Sequence, residues 1–188
     1  VVSAVRTPQG KQGGVFAETG SEELSVPVVE QLIEETGIEP TAVDDVRWGC
    51  AKQVSEQSNN IARVIAMLAL GESVPGTTID RLCASSAEAI MSGADQIRAG
   101  TRDVIVAGGV ENMSRNERRK GIGSYAGIAA QYDAAGLAMG QTAEKVAQQF
   151  DISRERQDEY GARSQQRACA ATEDGKFDDE ILPIETDD

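Results

Sequence analysis

The sequence contains no histidine among its 188 residues. Because histidine is the usual base beside a serine or cysteine nucleophile and a frequent zinc ligand, the chain alone cannot build a histidine triad, a Cys-His dyad or a histidine-ligated metal site. Its three cysteines, Cys50, Cys83 and Cys169, include no closely spaced ligand pair, and an odd number argues against a disulfide framework. We therefore expect neither a bound metal nor a resident cofactor.

Positive charge is scarce as well. The 31 acidic side chains outnumber the 18 basic ones, which gives a formal net charge of -13 and argues against the basic surface that nucleic-acid binding requires. No apolar run approaches the roughly 18 residues of a membrane span, and no charged-then-apolar leader opens the chain, so we expect a soluble, cytoplasmic protein. Only 5 of the basic residues are lysine. A dispersed acidic, lysine-poor surface suits a protein of a salt-rich cytoplasm. The alternative is that the acidic composition arose by drift and is not an adaptation to salt.

Strand and helix signals alternate over the first 110 residues. A short apolar segment at the start and three later segments bounded by turns predict four strands, and helical periodicity predicts a helix after each of the first three. The first helix is predicted to be capped by Ser21 and to end at Gly37. The predicted strands cover residues 1–5, 43–49, 76–82 and 104–107, and the second and third helices cover residues 60–70 and 86–99. Such crossover units indicate a layered α/β fold with a mainly parallel sheet.

The sequence changes character after Ser114. A basic cluster is followed by a stretch rich in glycine and alanine, then by a helical tract over residues 142–172 with a break near residues 151–153. One more strand is predicted over residues 180–184. We therefore divide the chain into a core of residues 1–114 and 180–188 and an excursion from the sheet over residues 115–179. The basic cluster comprises Arg115, Arg118, Arg119 and Lys120.

Cys83 occupies the position where open parallel sheets bind ligands, between the end of a strand and the start of a helix. A thiol at a helix N-terminus meets unpaired N–H groups and the positive end of the helix dipole, which favour the thiolate, and the same N–H groups can hold an oxyanion. Small residues at positions 84–86 leave room for a substrate carbonyl. The alternative is a buried core cysteine, which is the interpretation we favour for Cys50 and Cys169. The apolar face of the following helix comprises Ala87, Ile90, Met91, Ala94 and Ile97.

Two further features concern glycine and charge. Gly108 and Gly109 follow the fourth predicted strand, where tight packing or a turn explains them, and no Lys, Ser or Thr follows at the spacing of a phosphate loop. The basic cluster at residues 115–120 is interpreted as a solvated face, with an anionic ligand such as a nucleotide phosphate as the alternative.

Four ordered stretches resemble the N-terminal half of a thiolase, the family of acetyl-CoA acetyltransferases and 3-ketoacyl-CoA thiolases. They read VSAVRTP at residues 2–8, RLCAS at residues 81–85, VAGGVENMS at residues 106–114 and MGQTAE at residues 139–144. Their order and spacing agree with the family, and the similarity covers essentially the whole chain. Ketoacyl synthases share the fold and a cysteine at this place, but the Arg6-Thr7-Pro8 stretch and residues 108–114 favour thiolases.

The resemblance implies that Cys83 is the nucleophile that takes an acyl group from acyl-CoA, with ping-pong kinetics and a reversible Claisen condensation or thiolysis. It also implies that residues 115–179 form a loop domain that lies over the sheet and receives coenzyme A, and that Met139 lines the acyl and pantetheine channel. A homodimer or higher oligomer is expected, as is a role in fatty acid or ketone metabolism. Acyl-CoA is then a substrate and not a cofactor.

Family members are considerably longer, and their second half supplies a histidine, a loop that orders a catalytic water and a second cysteine. We therefore expect an acyl-CoA acyltransferase of the thiolase type that is inactive as a lone chain. It would need the missing C-terminal half, from the same gene product or from a second chain. Two alternatives stay open: a non-catalytic half-thiolase subunit that binds acyl-CoA or a partner chain, and a condensing enzyme of the ketoacyl synthase type.

Overall fold

The computed structural model describes residues 1–115, 125–133 and 137–186. The chain divides into two compact units. The first comprises Val1–Glu117 together with Asp179–Asp188 and contains the sheet, and the second comprises Arg118–Asp178 and is helical.

A three-stranded parallel sheet lies at the centre of the first unit. Its strands are β1 (Asp45–Gly49), β2 (Gly76–Ile79) and β3 (Ile105–Gly109), in the order β2-β1-β3. Helix α2 (Ile61–Ala69) connects β1 to β2, and helix α3 (Ser85–Arg98) connects β2 to β3. The predicted α/β class with a parallel sheet built from crossover units is therefore confirmed.

The apolar core lies on one face of the sheet, under helix α1 (Ser21–Thr36) and α2. Isoleucines one turn apart on α2, Ile61 and Ile65, are fully buried against this face. Trp48 of β1 is only 3% exposed, and its ring occupies the space beside Gly108, where an added Cβ would lie 2.6 Å from the ring. Close packing, one of the two explanations that the sequence offers for Gly108, is therefore confirmed.

Helix α3 covers the opposite face of the sheet with small residues. Ser85, Ala89 and Gly93 are its buried positions. A Cβ on Gly93 would lie 3.1 Å from the Cγ2 atom of Ile105, so the helix approaches β3 closely. The larger apolar residues Ile90 and Met91 are about half exposed, at 50% and 52%. The apolar face predicted for α3 is therefore present, but it does not pack against the sheet.

The strand predicted over residues 1–5 does not form, and the one predicted over residues 180–184 is reduced to a single position. An isolated bridge between Arg6 and Ile181 joins the two ends, and the Arg6 side chain forms an ion pair with Glu180 beside it. Within the described residues, the outer edge of β3 has no partner strand, and a cavity of about 1030 Å³ lies between it and residues 1–12. Both strand predictions are wrong because apolar sequence alone does not make a strand, which needs a neighbouring strand to pair its backbone groups.

The ends of two elements also differ from the prediction. Gly20, not Ser21, is the N-cap of α1, because the Ser21 hydroxyl is buried and donates a hydrogen bond to Gln57. Strand β2 ends at Ile79, three residues earlier than predicted, since residues 80–84 form a hydrogen-bonded turn. The predicted end of α1 at Gly37 is confirmed, and this glycine has a left-handed φ of 62°.

The second unit contains helices α4 (Ala126–Gln131), α5 (Met139–Gln149) and α6 (Arg154–Glu173). The predicted helical tract and its break are confirmed, and Ser153 caps α6 by accepting a hydrogen bond from the Arg156 N–H. Across the part of the chain that the structure describes, every helix is too short or too polar to traverse a bilayer.

Candidate active site

Cys83 lies in the turn between β2 and α3, where the sequence predicts it. Its thiol is exposed, so the alternative of a buried core cysteine is wrong. Ala84 is the N-cap of α3 and Ser85 its first residue, which puts the thiol two residues before the helix. Cys83 therefore stands at the N-terminal end of a helix, as the sequence predicts.

The turn that carries Cys83 is fixed by its own hydrogen bonds. Leu82 has a left-handed φ of 50°, a conformation that costs a non-glycine residue on the order of 1 kcal/mol and needs support from its surroundings. The Asp80 carboxylate gives that support by accepting the Leu82 N–H at 3.0 Å. The Ser85 hydroxyl accepts the Arg81 N–H at 2.8 Å and donates to the Leu82 carbonyl at 2.6 Å. An ion pair between Arg81 and Glu88 also joins the turn to α3.

Two glycines let the first turn of α3 rest directly on the sheet. A Cβ on Gly49, at the end of β1, would lie 2.5 Å from the backbone nitrogen of Ser86. A Cβ on Gly109, at the end of β3, would lie 2.1 Å from the hydroxyl oxygen of the same serine. A larger residue at position 49 would displace the backbone at the start of α3, and one at position 109 would displace the Ser86 hydroxyl and lie 2.7 Å from the Gly49 carbonyl oxygen. Close packing therefore explains Gly109 as well.

A polar cluster that the sequence analysis misses lies next to these strand ends. Gln57 is fully buried; its Nε2 donates to the Glu111 carboxylate at 2.7 Å and lies 3.2 Å from the Cys50 sulfur. Its Oε1 accepts from the Asn112 N–H and from the Ser21 hydroxyl, each at 2.8 Å. We call these five residues the Gln57 cluster. No local pattern reveals it, because a glutamine in a short turn after a strand is ordinary loop sequence.

Cys50 is a structural cysteine. It is 1% exposed, and burial raises the pKa of its thiol to about 11, with a further increase from the negative charge of Glu111. The thiol is therefore protonated at neutral pH, when a nucleophile would need to be thiolate. The predicted core role of Cys50 is confirmed.

The remaining predicted residues lie elsewhere. Cys169 is in α6 with an exposed thiol, so the packing role predicted for it is wrong. Met139 begins α5 and is 77% exposed. Arg115 donates to the Glu56 carboxylate at 2.8 Å and to the Glu18 carbonyl at 2.9 Å, which accounts for its charge without an anionic ligand. The other members of the basic cluster, at positions 118–120, lie outside the described residues.

Comparison with known proteins shows one family. The family described as "Thiolase, N-terminal domain" matches residues 1–188. The 3-ketoacyl-CoA thiolase of Cronobacter sakazakii is 41% identical over 186 residues, which is 97% of this chain and 48% of that protein. The 3-ketoacyl-CoA thiolase of Pseudoalteromonas translucida is 42% identical over 188 residues, 98% of this chain and 48% of that protein.

A solved structure agrees with these relatives. The crystal structure of the Bacillus anthracis acetyl-CoA acetyltransferase matches with a TM-score of 0.86 and 38% identity, covering 100% of this chain and 51% of that one. The chain thus spans about half the length of the curated relatives that it matches.

Proposed function

The chain belongs to the thiolase family, and we propose that it is the N-terminal half of a thiolase-type acyl-CoA acyltransferase in which Cys83 is the nucleophile. The observation that carries the role of Cys83 is its exposed thiol on a fixed turn at the N-terminus of α3. Of the other cysteines, Cys50 is buried and protonated, and Cys169 lies within a helix. Neither has a comparable position at a helix start.

In the proposed reaction the Cys83 thiolate attacks the carbonyl carbon of an acyl-CoA thioester. A bond forms between that carbon and the cysteine sulfur, the bond to the coenzyme A sulfur breaks, and coenzyme A leaves as a thiolate that takes up a proton. N–H groups at the start of α3 are suited to hold the oxyanion of the tetrahedral intermediate. In condensation the acyl group then passes from Cys83 to the carbanion of a second acyl-CoA, and the bond to the cysteine sulfur breaks. In thiolysis the Cys83 thiolate attacks the 3-keto carbon of a 3-ketoacyl-CoA instead, the bond between C2 and C3 breaks, and the leaving acyl-CoA carbanion takes up a proton. Coenzyme A then takes the acyl group from Cys83.

The acid and base of this cycle have to come from outside these residues. The chain has no histidine, and the buried Cys50 is not placed to exchange protons with substrate. The exposed apolar face of α3, which includes Ile90, Met91 and Ile97, starts beside the Cys83 turn. This face supports a second half that packs on α3 and brings the missing groups to the thiol. The lone chain is then expected to show negligible turnover.

The intact mass of the complete gene product after incubation with acetyl-CoA tests the proposal. We expect one acetyl group on Cys83, lost in Cys83→Ser and retained in the matched control Cys169→Ser. The role of Cys83 would be refuted if the complete protein gave no adduct, or if the adduct were still present in Cys83→Ser.

A non-catalytic half-thiolase subunit is the second candidate, and the absence of histidine favours it. It predicts coenzyme A binding by calorimetry that survives Cys83→Ala, with no acyl-enzyme under any condition. A ketoacyl-synthase-type condensing enzyme would prefer acyl groups carried on acyl-carrier protein. A comparison of the two donors separates it, and the similarity to 3-ketoacyl-CoA thiolases favours the coenzyme A donor.

The finer assignments form part of the same proposal. We propose that residues 115–179 form the loop domain and residues 1–114 and 180–188 the sheet core, and that Met139 lines the acyl and pantetheine channel. We expect Met139→Ala to raise the KM for acetyl-CoA in the complete enzyme, whereas Met67→Ala, which truncates an exposed methionine of α2, leaves it unchanged. An unchanged KM in Met139→Ala would remove this residue from the channel.

We also propose an oligomeric, cytoplasmic enzyme of fatty acid or ketone metabolism. Light scattering of the complete protein measures its oligomeric state, and a dimer or larger assembly is expected. Cell fractionation and growth on fatty acids after deletion of the gene test the location and the metabolic role.

A further inference from the structure

Gln57 uses both ends of its amide although it is fully buried. In addition to its bonds within the Gln57 cluster, its Nε2 donates to the Lys52 carbonyl at 2.8 Å. Replacing this amide leaves buried donors and acceptors without partners. Such unpaired groups lower the free energy of unfolding by more than the net contribution of the lost hydrogen bonds. The side chain therefore fixes the segment that follows β1 against the segment that follows β3.

The same cluster reaches the strand from which the Cys83 turn departs. The backbone N–H of Cys50 donates to the carbonyl of Ile79, the last residue of β2, at 2.9 Å. The Val110 N–H donates to the Gly49 carbonyl at 3.0 Å, which ties β3 to β1 one residue before Cys50. The carboxyl ends of all three strands thus meet at Gly49 and Cys50.

This junction supports α3. The Cα of Gly49 lies so close to the helix that an added Cβ would be 2.5 Å from the nitrogen of Ser86. Glu111 accepts the backbone N–H groups of Ala51 and Lys52 at 3.0 and 3.1 Å, so the carboxylate that Gln57 holds also fixes the chain immediately beyond the junction. A shift of the junction would therefore move the start of α3 and the thiol in front of it.

We propose that Gln57 is a positioning residue for Cys83, which acts by holding the strand ends on which the start of α3 rests. This inference rests on the proposed function, because it concerns the residue proposed as the nucleophile. It predicts that Gln57 governs the reactivity of Cys83 in the folded protein, in addition to any effect on stability.

The test compares the alkylation rates of two cysteines in the same molecule. Iodoacetamide is reacted with the folded chain, and peptide mass spectrometry gives the rate at Cys83 relative to Cys169, which is exposed in the other unit. The variants are Gln57→Glu, which places a carboxylate against Glu111, and Gln57→Met, which keeps the volume without polar groups. Gln149→Glu, at an exposed position of α5, makes the same chemical change away from the cluster. Emission of the single, buried Trp48 reports whether the sheet unit is folded.

We expect the Cys83-to-Cys169 rate ratio to fall by about fivefold in folded Gln57→Glu and Gln57→Met, because displacements of about 1 Å have large effects on a reacting group. The ratio should not change in Gln149→Glu. Loss of stability alone would lower the unfolding midpoint and leave the ratio of the folded protein unchanged.

An unchanged ratio in either folded Gln57 variant would overturn the inference, and if Gln57→Glu does not fold, Gln57→Met decides. Failure of the proposed function gives a different result. Alkylation involves no acyl-CoA, so an altered ratio together with the absence of an acetyl adduct would refute the function of Cys83 and leave the positioning intact.

Discussion

Replacing Gly49 with alanine tests whether contact with the end of β1 holds the first turn of α3. The added Cβ would lie 2.5 Å from the nitrogen of Ser86 and 2.6 Å from the carbonyl carbon of Ser85, whereas ordinary contact starts at 3.4 Å. Both neighbours are backbone atoms, so no side chain can turn aside. The start of the helix has to retreat by about 1 Å to reach the favourable separation of roughly 3.5–4.0 Å.

The size of the effect follows from this displacement. Overpacking of this kind costs about 1–3 kcal/mol, and alanine recovers about 0.4–1 kcal/mol by restricting the unfolded chain. We expect the free energy of unfolding to fall by about 1–2 kcal/mol. With a denaturant slope of about 2 kcal/mol per molar urea, the unfolding midpoint falls by about 0.5–1 M.

The fluorescence of Trp48, the single tryptophan, follows unfolding of the sheet unit. The control is Gly93→Ala, whose Cβ would meet side-chain atoms and no backbone, those of Ile105 at 3.1 Å and of Arg47 at 3.6 Å. This substitution also gains helix propensity. Its midpoint should change less than that of Gly49→Ala, and its Cys83-to-Cys169 alkylation ratio should equal that of the parent. If Gly49→Ala is as stable as the parent and has the same ratio, contact with β1 does not hold the helix start.

Three further predictions concern other features. The pKa of Cys50 is raised from 9.0 to about 11 on folding, so the folded state favours the protonated thiol. This contribution to the free energy of unfolding is fully present below pH 9 and is lost as the pH rises towards 11. Urea titrations over this pH range should show the loss in the parent and not in Cys50→Ala. Asn112→Ala should lower the free energy of unfolding by about 1–3 kcal/mol, because the buried amide donates to the carbonyls of Phe16 and Thr19; equal urea midpoints would contradict this. If the acidic surface is an adaptation to salt, the melting temperature should rise from low to molar potassium chloride, and equal stability at both concentrations would refute the adaptation.

The sequence predicts those parts of the fold that are decided by neighbours along the chain. The first helix ends at Gly37 because a left-handed residue there is a local requirement. The same holds for Cys83, which follows a predicted strand and precedes a helical pattern, so its place in a turn could be predicted without knowledge of tertiary contacts. The parallel sheet follows from the alternation of strand and helix with short connections.

The parts that could not be predicted depend on distant residues. Gln57 contacts Ser21, 36 residues before it, and Asn112, 55 residues after it. No periodicity or spacing connects such positions, so the cluster appears only when the strands are assembled. Ser21 shows the same limit, since its hydroxyl was expected to cap α1 locally and instead bonds to Gln57.

The two sides of α3 connect the sheet to the proposed chemistry. Its sheet side consists of small residues such as Ser85, Ala89 and Gly93, which allow the backbone to approach the strands closely and so set the position of the Cys83 turn. Its other side exposes Ile90 and Met91, and such large apolar side chains at adjacent positions are the usual mark of a surface that another body covers. Because this exposed side begins at the turn that carries the thiol, a body that covers it would also border Cys83. We therefore expect the acid and base groups that this chain lacks to reach the thiol from the exposed side of α3, while the sheet side holds the thiol in place.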